Sequence, residues 1–398
     1  MALHEEGSMA EESKSVSKAA ALREKGEGNQ TVMDKLVNDV VQPALLPMIE
    51  KGYMPDRVVR LGMRKLLAST INTVTFHGDQ EQQADYIDAF VQDLKTRGIA
   101  EQTDASAEQH YEVPADFFIK KMGPQMKYSC CQYPDAKTTL AEAEDHALAL
   151  FCERAELAAL PDGADVLDLG CGWGSLSLYI GKHFPNLKVI GVSHSNSQRE
   201  FIMARAKEHG LSNVEIRTCD VNDLDLPEAS FDRICSIEML EHVKNYWMLF
   251  KNMSKWLKDD GKVMVHVFCH RDVPYHFQDG WMSDNFFSGG TMPSYDLFLF
   301  INDHLRVDRR WAINGVHYSR TLEHWLENLD ANRGDLIKFF KEGYGDKASE
   351  KYQAWRLFCM ACSELFKYDN GRDGPGNEWF VAHYRFVKVS NKAAVSVP

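Results

Sequence analysis

The chain has 398 residues, an apolar share of 44% and ordinary numbers of Gly (26) and Pro (13), so it can build a sizeable core and is neither collagen-like nor of low complexity. Its net charge of −13 disfavours a phosphate-binding surface, and with it nucleic acid as a partner. No apolar run approaches the roughly 18 residues of a membrane-spanning helix, and the nine scattered cysteines, in a chain that opens acidic and polar, are expected to be reduced thiols of a cytoplasmic protein.

Residues 1 to about 30 are rich in Glu, Lys, Ser and Gly and are expected to stay disordered. Over residues 31–108 apolar side chains recur at helical spacing, as in Val37, Val40 and Val41 and then Val58, Val59, Leu61, Met63, Leu66 and Leu67. Pro43, Pro47 and Pro55 divide that stretch into the short helices of an N-terminal cap. At Asp165 the period changes. The runs VLDLG (Val166 to Gly170), VIGVS (Val189 to Ser193), VEIRTCD (Val214 to Asp220), FDRICSIE (Phe231 to Glu238) and KVMVHVF (Lys262 to Phe268) read as strands separated by helical segments. That alternation predicts an α/β core over 109–270, a parallel Rossmann-like sheet with helices on both faces. A lid with helices is expected over 271–370, inserted before the final strand in 371–390, which carries EWFVAHYRFVK, with a tail from 391 to 398.

Val166 to Gly174 form an apolar strand that ends in Gly-x-Gly-x-Gly and runs into a helix. Glycines there let the backbone turn tightly and approach a ligand at the carboxyl edge of the sheet. The spacing differs from the Gly-x-Gly-x-x-Gly of dinucleotide binding, and no P-loop Lys follows, so a nicotinamide cofactor is disfavoured. Just past the fourth strand come Glu238, Glu241 and His242. If that segment is helical, all three share one face at the same edge. Two carboxylates and an imidazole suit an amine, whose cation a carboxylate attracts and whose proton a base of near-neutral pKa accepts. His317-Tyr318 is a candidate to close the site from the lid, His266 and His270 are expected to pack or line the pocket, and Cys359-x-x-Cys362 to pack in the core. Cys359-x-x-Cys362 has redox or zinc spacing but no second pair, and no carboxylate or Cys completes a set with His266 and His270, so no metal is expected.

The string VLDLGCGWG resembles the cofactor loop of class I S-adenosylmethionine-dependent methyltransferases. Together with HYEVPADFF (His110 to Phe118), KYSCCQYP (Lys127 to Pro134), GVSHSNSQ (Gly191 to Gln198), IEMLEHVKNY (Ile237 to Tyr246), FFSGGTMPS (Phe286 to Ser294) and NGVHYSRTLEHW (Asn314 to Trp325), it resembles the coclaurine N-methyltransferase-like branch of the cyclopropane fatty acid synthase superfamily. The resemblance implies S-adenosylmethionine as cofactor. It places Tyr128 and Ser129 at the sulfonium and carboxylate end, Asp168, Gly170 and Gly172 on the methionine part, Ser193 and Gln198 on the ribose and Asn222 at the adenine edge. Tyr111, Glu112, Glu238 and Tyr318 are expected beside the substrate, with Glu238 and Glu241 holding the ammonium and His242 with Glu241 as base. The acceptor is then a secondary or tertiary amine of a small cyclic or aromatic molecule. In the lipid-modifying branch, groups matching Cys130 and Glu241 instead hold a bicarbonate. An enzyme methylating an unsaturated acyl chain is therefore an alternative, and a non-catalytic cofactor-binding protein another. Oligomeric state stays open, a homodimer included.

Overall fold

The computed structural model describes residues 42–101, 114–277, 280–286 and 289–389. The tail segments for which disorder is expected, and the expected substrate residues Tyr111 and Glu112, lie outside the described residues. The chain opens with α1 (Gln42–Glu50), α2 (Asp56–Val74) and α3 (Gln80–Thr96). α1 ends before Gly52, which takes φ +71°, and Pro55 stands at the start of α2, while Pro47 lies inside α1, where it removes one backbone donor without ending so short a helix. After α4 (Ala115–Lys121), the helix α5 (Leu140–Arg154) starts at a capping box. Thr139 accepts from the Glu142 amide and Glu142 reaches back to the Thr139 amide.

The alternating part follows as β1 (Asp165–Leu169), α6 (Ser175–His183), β2 (Lys188–Ser193), α7 (Asn196–Glu208), β3 (Val214–Thr218), β4 (Phe231–Ile237), α8 (Tyr246–Trp256) and β5 (Leu257–His270). A small hairpin, β6 (Tyr275–His276) with β7 (Thr291–Met292), encloses α9 (Trp281–Asn285). Then come β8 (Leu305–Ile313), the helices α10 (Val316–Ala331), α11 (Arg333–Tyr344) and α12 (Ala348–Phe366), and β9 (Trp379–Lys388). The sheet order is β3-β2-β1-β4-β5-β9-β8, parallel from β3 to β5 and antiparallel at β9 and β8.

The central strands read as unbroken apolar runs because both their faces are buried. Val166, Cys235 and Met264 pack against α5, α6 and α7, whereas Leu167, Ile234 and Val263 pack against α3 and α8. A third core joins α2 and α4 to α10, α11 and α12 around Trp325 and Trp355. Two expectations need correction. The lid is not one insertion, since β8 divides it into the β6–β7 hairpin and a three-helix segment. The strand β5 begins at Leu257, not Lys262. β8 escapes pattern reading because it is the edge strand, and its LRVDRRWAI leaves Arg306, Asp308, Arg309 and Arg310 exposed or half-buried. Among the described residues no helix is long and apolar enough to cross a membrane.

Candidate active site

The carboxyl ends of β1, β2 and β4 open onto one cleft. Gly170 takes φ +81° between β1 and α6, and a Cβ there would come within 2.6 Å of the Met239 side chain. At Gly172, φ +52°, nothing lies within 4 Å of a Cβ, so the backbone itself forms the floor of an open cradle. The cleft has two lobes that share Gly170, Gly172, Gln198, Glu238 and His242, with cavity volumes of about 780 and 860 Å³. Tyr128, Ser129 and Asp168 line the inner lobe; Ser193, Asp220 and Val221 line the outer one. Among the described residues, no Lys or Arg lines either lobe.

Asp168 accepts a 2.6 Å hydrogen bond from Ser177, and burial pushes its carboxyl up to about 6. The Ser193 hydroxyl donates to Gln198 Oε1 at 2.7 Å, which turns the Gln198 amide nitrogen toward the cleft, buried and with no partner among the described residues. A buried donor left unmade is costly, so this one fits a ligand hydroxyl or carboxylate. With the glycine cradle and no Lys or Arg lining the lobes among the described residues, the donor set suits a cationic sulfonium with a ribose. Asn222 is not among the residues that line either lobe. Its side chain pairs with the backbone of Ala100, and Asp220 and Val221, which precede it, line the outer lobe.

The segment after β4 is not an α-helix but one 3₁₀ turn, Leu240–His242, so Glu238, Glu241 and His242 do not share a face. Glu238 precedes the turn at φ +48°, a left-handed conformation costing roughly 1 kcal/mol or more. Its amide is fixed by the His266 carbonyl at 2.9 Å. Its carboxylate receives the Cys130 amide at 3.0 Å and His266 Nε2 at 3.1 Å on Oε1, and the Tyr318 hydroxyl at 2.6 Å on Oε2. Burial pushes this carboxyl up to about 7 despite Lys127 nearby. His242 lines both lobes, and burial, reinforced by His194 and Lys244, pushes it down to about 4, leaving a neutral imidazole. Glu241 points away from both lobes. Its Oε1 accepts the Phe268 amide at 2.9 Å, Oε2 is buried without a partner among the described residues, and burial, with the Glu238 carboxylate beside it, pushes its carboxyl well above the ordinary value.

Beyond Glu238 lies a third cavity of about 1080 Å³, walled by Leu67 and Val74 of α2, Tyr275 and Met292 of the hairpin, and Phe366 of α12. Phe268, Tyr318 and Phe358 line both this cavity and the inner lobe, so the two meet beside Glu238. Tyr318 stacks on Phe366 at 4.4 Å between ring centres. The other half of the His317-Tyr318 pair turns outward, where His317 Nδ1 accepts the Tyr133 amide. All nine cysteines are free, and Cys359 and Cys362 are buried in the helical core. Three features could not be read from the sequence: the α2 wall, the His266 contact to Glu238, and Asp220-Val221. Each depends on residues brought together from distant parts of the chain.

Comparison with known proteins matches this architecture. The family model described as mycolic acid cyclopropane synthetase matches residues 100–372. An (S)-coclaurine N-methyltransferase from Thalictrum flavum subsp. glaucum is 36% identical, covering 91% of this chain and 99% of its own. A pavine N-methyltransferase from the same plant is 34% identical over 86% of this chain and 97% of its own. A crystal structure of coclaurine N-methyltransferase bound to N-methylheliamine and S-adenosylhomocysteine superposes with a TM-score of 0.82 at 33% identity, covering 88% of this chain and all of that one. The glycine cradle, the acidic cleft and these likenesses together make the chain a member of the mycolic acid cyclopropane synthetase family, in its coclaurine N-methyltransferase-like branch, and an S-adenosylmethionine-dependent methyltransferase.

Proposed function

We propose that the protein methylates the nitrogen of a secondary or tertiary amine in a small cyclic or aromatic, alkaloid-like molecule. The observation that carries this reading is the buried carboxyl of Glu238 at the junction of the acidic cleft and the aromatic cavity. Tyr128, Ser129, Asp168, Gly170 and Gly172 hold the amino-acid end of the cofactor, and Ser193 with Gln198 its ribose. When bound, S-adenosylmethionine supplies an electrophilic methyl group on a sulfonium.

The chain's own contribution is to the amine. An alkyl amine at neutral pH is mostly protonated and has no lone pair to offer. Glu238 attracts the ammonium into the apolar cavity and, with a pKa near neutrality, takes its proton. His242, neutral and less basic, offers a second acceptor on the same side. The rings of Phe268, Tyr318 and Phe366 face the cation and keep water out. Glu241, bonded to β5 through the Phe268 amide, holds the turn that presents Glu238 and His242.

The test uses purified protein with methyl-labelled S-adenosylmethionine and, in parallel, coclaurine, heliamine, and vesicles of a phospholipid with monounsaturated chains. Label is expected in an amine, with kcat/KM rising through about pH 7 as Glu238 ionises, and lower by about 10²-fold or more in Glu238→Gln. Label in the lipid, stimulated by added bicarbonate, overturns the reading.

A further inference from the structure

One of the three hydrogen bonds on Glu238 is the end of a longer chain. Arg154 ends α5, and its Nη1 lies 2.9 Å from Nδ1 of His383 on β9. Nε2 of His383 lies 2.9 Å from Nδ1 of His266 on β5, and Nε2 of His266 lies 3.1 Å from Glu238 Oε1. His266 and His383 are directly paired across the antiparallel β5–β9 ladder, so their rings project from the same face of the sheet. Both are buried, His266 at 3% and His383 at 1% exposure, whereas Arg154 is half-buried and stacks on Trp311 at 4.9 Å.

The direction of every bond in this chain is fixed from the arginine end. A guanidinium has five donors and no acceptor and does not lose its proton, so His383 Nδ1 must be the accepting lone pair. Burial, with Arg154 and Lys127 nearby, holds both imidazoles neutral, so each ring carries one proton. That of His383 is on Nε2 and is donated to His266 Nδ1. That of His266 is then on Nε2 and is donated to Glu238. We propose that Arg154 and His383 are positioning residues which, through His266, hold the Glu238 carboxylate ionised and aimed at the cavity.

Two consequences follow from the same geometry. A carboxylate offers about four lone-pair directions, and the Cys130 amide, His266 and Tyr318 take three, which leaves one for an ammonium. A proton taken up by Glu238 also has no exit along the chain, because Nε2 of His266 is already protonated and the far end cannot accept. It leaves through the cavity. The proposal rests on the reading of Glu238 as the amine's partner, so its test needs a readout besides turnover.

Arg154→Leu keeps an apolar contact for Trp311 but removes the donor; Arg154→Lys restores one. In ¹⁵N-histidine-labelled protein, long-range ring correlations are expected to show His266 and His383 as neutral Nε2–H tautomers in the wild type and in Arg154→Lys, and His383 as a mixture in Arg154→Leu. The acid limb of kcat/KM for a methylated amine should move up by roughly half to one pH unit in Arg154→Leu and return in Arg154→Lys, a loss of about three- to tenfold at pH 6.5 that vanishes near pH 9. The other titratable groups facing Glu238 are unchanged in both variants: Lys127, Cys130 and Cys131 from the loop before α5, Glu241 and His242 from the turn, His266 from β5, Tyr318 from α10 and Cys362 from α12. An Nδ1–H tautomer on either ring in the wild type, or an Arg154→Leu limb at the wild-type pH, overturns the chain. Tautomers as drawn that respond to Arg154, in a protein that methylates no amine, support the chain and place the failure in the functional reading.

Discussion

Lys121, the last residue of α4, puts its ammonium among six aromatic rings, 4.4 Å from the centre of Trp355, 4.5 Å from Tyr128 and 4.8 Å from Trp325. No hydrogen-bond acceptor reaches it among the described residues, and burial pushes its pKa down to about 8 from an ordinary 10.5. Cation–π attraction of about 0.5–2 kcal/mol offsets part of the desolvation, which at ~1.4 kcal/mol per pKa unit is about 3 kcal/mol against folding. The sign is fixed by linkage. Between pH 8 and 10.5 the unfolded chain binds more protons than the folded one, so the penalty is complete below pH 8 and gone above pH 10.5. Lys121→Met should therefore be more stable than the wild type by about 1–3 kcal/mol at pH 7, with an advantage that shrinks as pH rises from 8 to 10.5. Urea unfolding at pH 7, 9 and 10 checks this, and a gap constant with pH defeats the burial argument. Nothing in the local sequence ADFFIKK marks Lys121 for burial, since the rings around it come from α4, α10, α12 and the loop before α5. Legible residues are those whose position follows from the local backbone. Gly170 and Gly172 are set by the strand-to-helix turn, and Ser193 with Gln198 by the end of β2 and the start of α7. The direction of Glu241 is set by the Phe268 amide, 27 residues away, and no local pattern encodes it.

Elements follow the same rule. The parallel strands were legible because burial on both faces demands unbroken apolar runs, and the cap and lid helices because their faces repeat. The edge strand β8 and the 3₁₀ turn at Leu240–His242 were not, since one is mostly polar and the other is three residues long. The β6–β7 hairpin is too short to be stable alone and is held from outside. Lys244 donates to the Thr291 hydroxyl at 2.8 Å and the Gly290 carbonyl at 3.2 Å, and lies 3.0 Å from His276 Nδ1; His276 Nε2 in turn faces Asp93 of α3 at 3.3 Å. Tyr275 and Met292 of this hairpin wall the aromatic cavity. Lys244→Met removes the donor shared by the buried Gly290 carbonyl, the Thr291 hydroxyl and the half-buried His276, at roughly 1–3 kcal/mol for such a loss. The expected result is a KM for the amine raised about tenfold or more, with the dissociation constant of S-adenosylhomocysteine, measured by calorimetry, within twofold of wild type. An equal loss for both ligands would mean that the hairpin bears on the whole cleft and not on the acceptor wall alone.

At the scale of the molecule, the aromatic cavity exists only because α2 is drawn onto the lid helices, more than 250 residues further along the chain. Arg60 makes a two-pronged contact to Glu323 of α10, 2.7 Å on each prong, and reaches Glu364 of α12 at 3.0 Å, while Arg64 reaches Glu364 at 2.6 Å and Lys367 reaches it at 3.0 Å. The Glu364 side chain is 1% exposed, and although burial alone would raise its carboxyl, the hydrogen bonds from Arg64, Arg60 and Lys367 hold it below the ordinary value. Three cations around one buried anion make the anion the keystone, since removing it leaves Arg60 and Arg64 facing each other without their shared partner. Arg64 is half exposed, so solvent screens part of the loss. Glu364→Gln should lower unfolding free energy at pH 7 by roughly 2–3 kcal/mol and, because Leu67 and Val74 of α2 wall the cavity, should also raise the amine KM. A carboxyl depressed in the folded state contributes stability that is present above its unfolded pKa and lost as pH falls through its folded one. The stability difference between Glu364→Gln and wild type should hence be constant from pH 6 to 8 and shrink progressively as pH falls below the ordinary Glu value of about 4.3, because the unfolded chain takes up its proton before the folded one does. Denaturant midpoints measured along that series decide the matter. A difference that persists undiminished at pH 3 would assign the loss to packing around α12, and α2 would then be held by the apolar contacts of Val59 and Leu67 with the third core and not by its ion pairs.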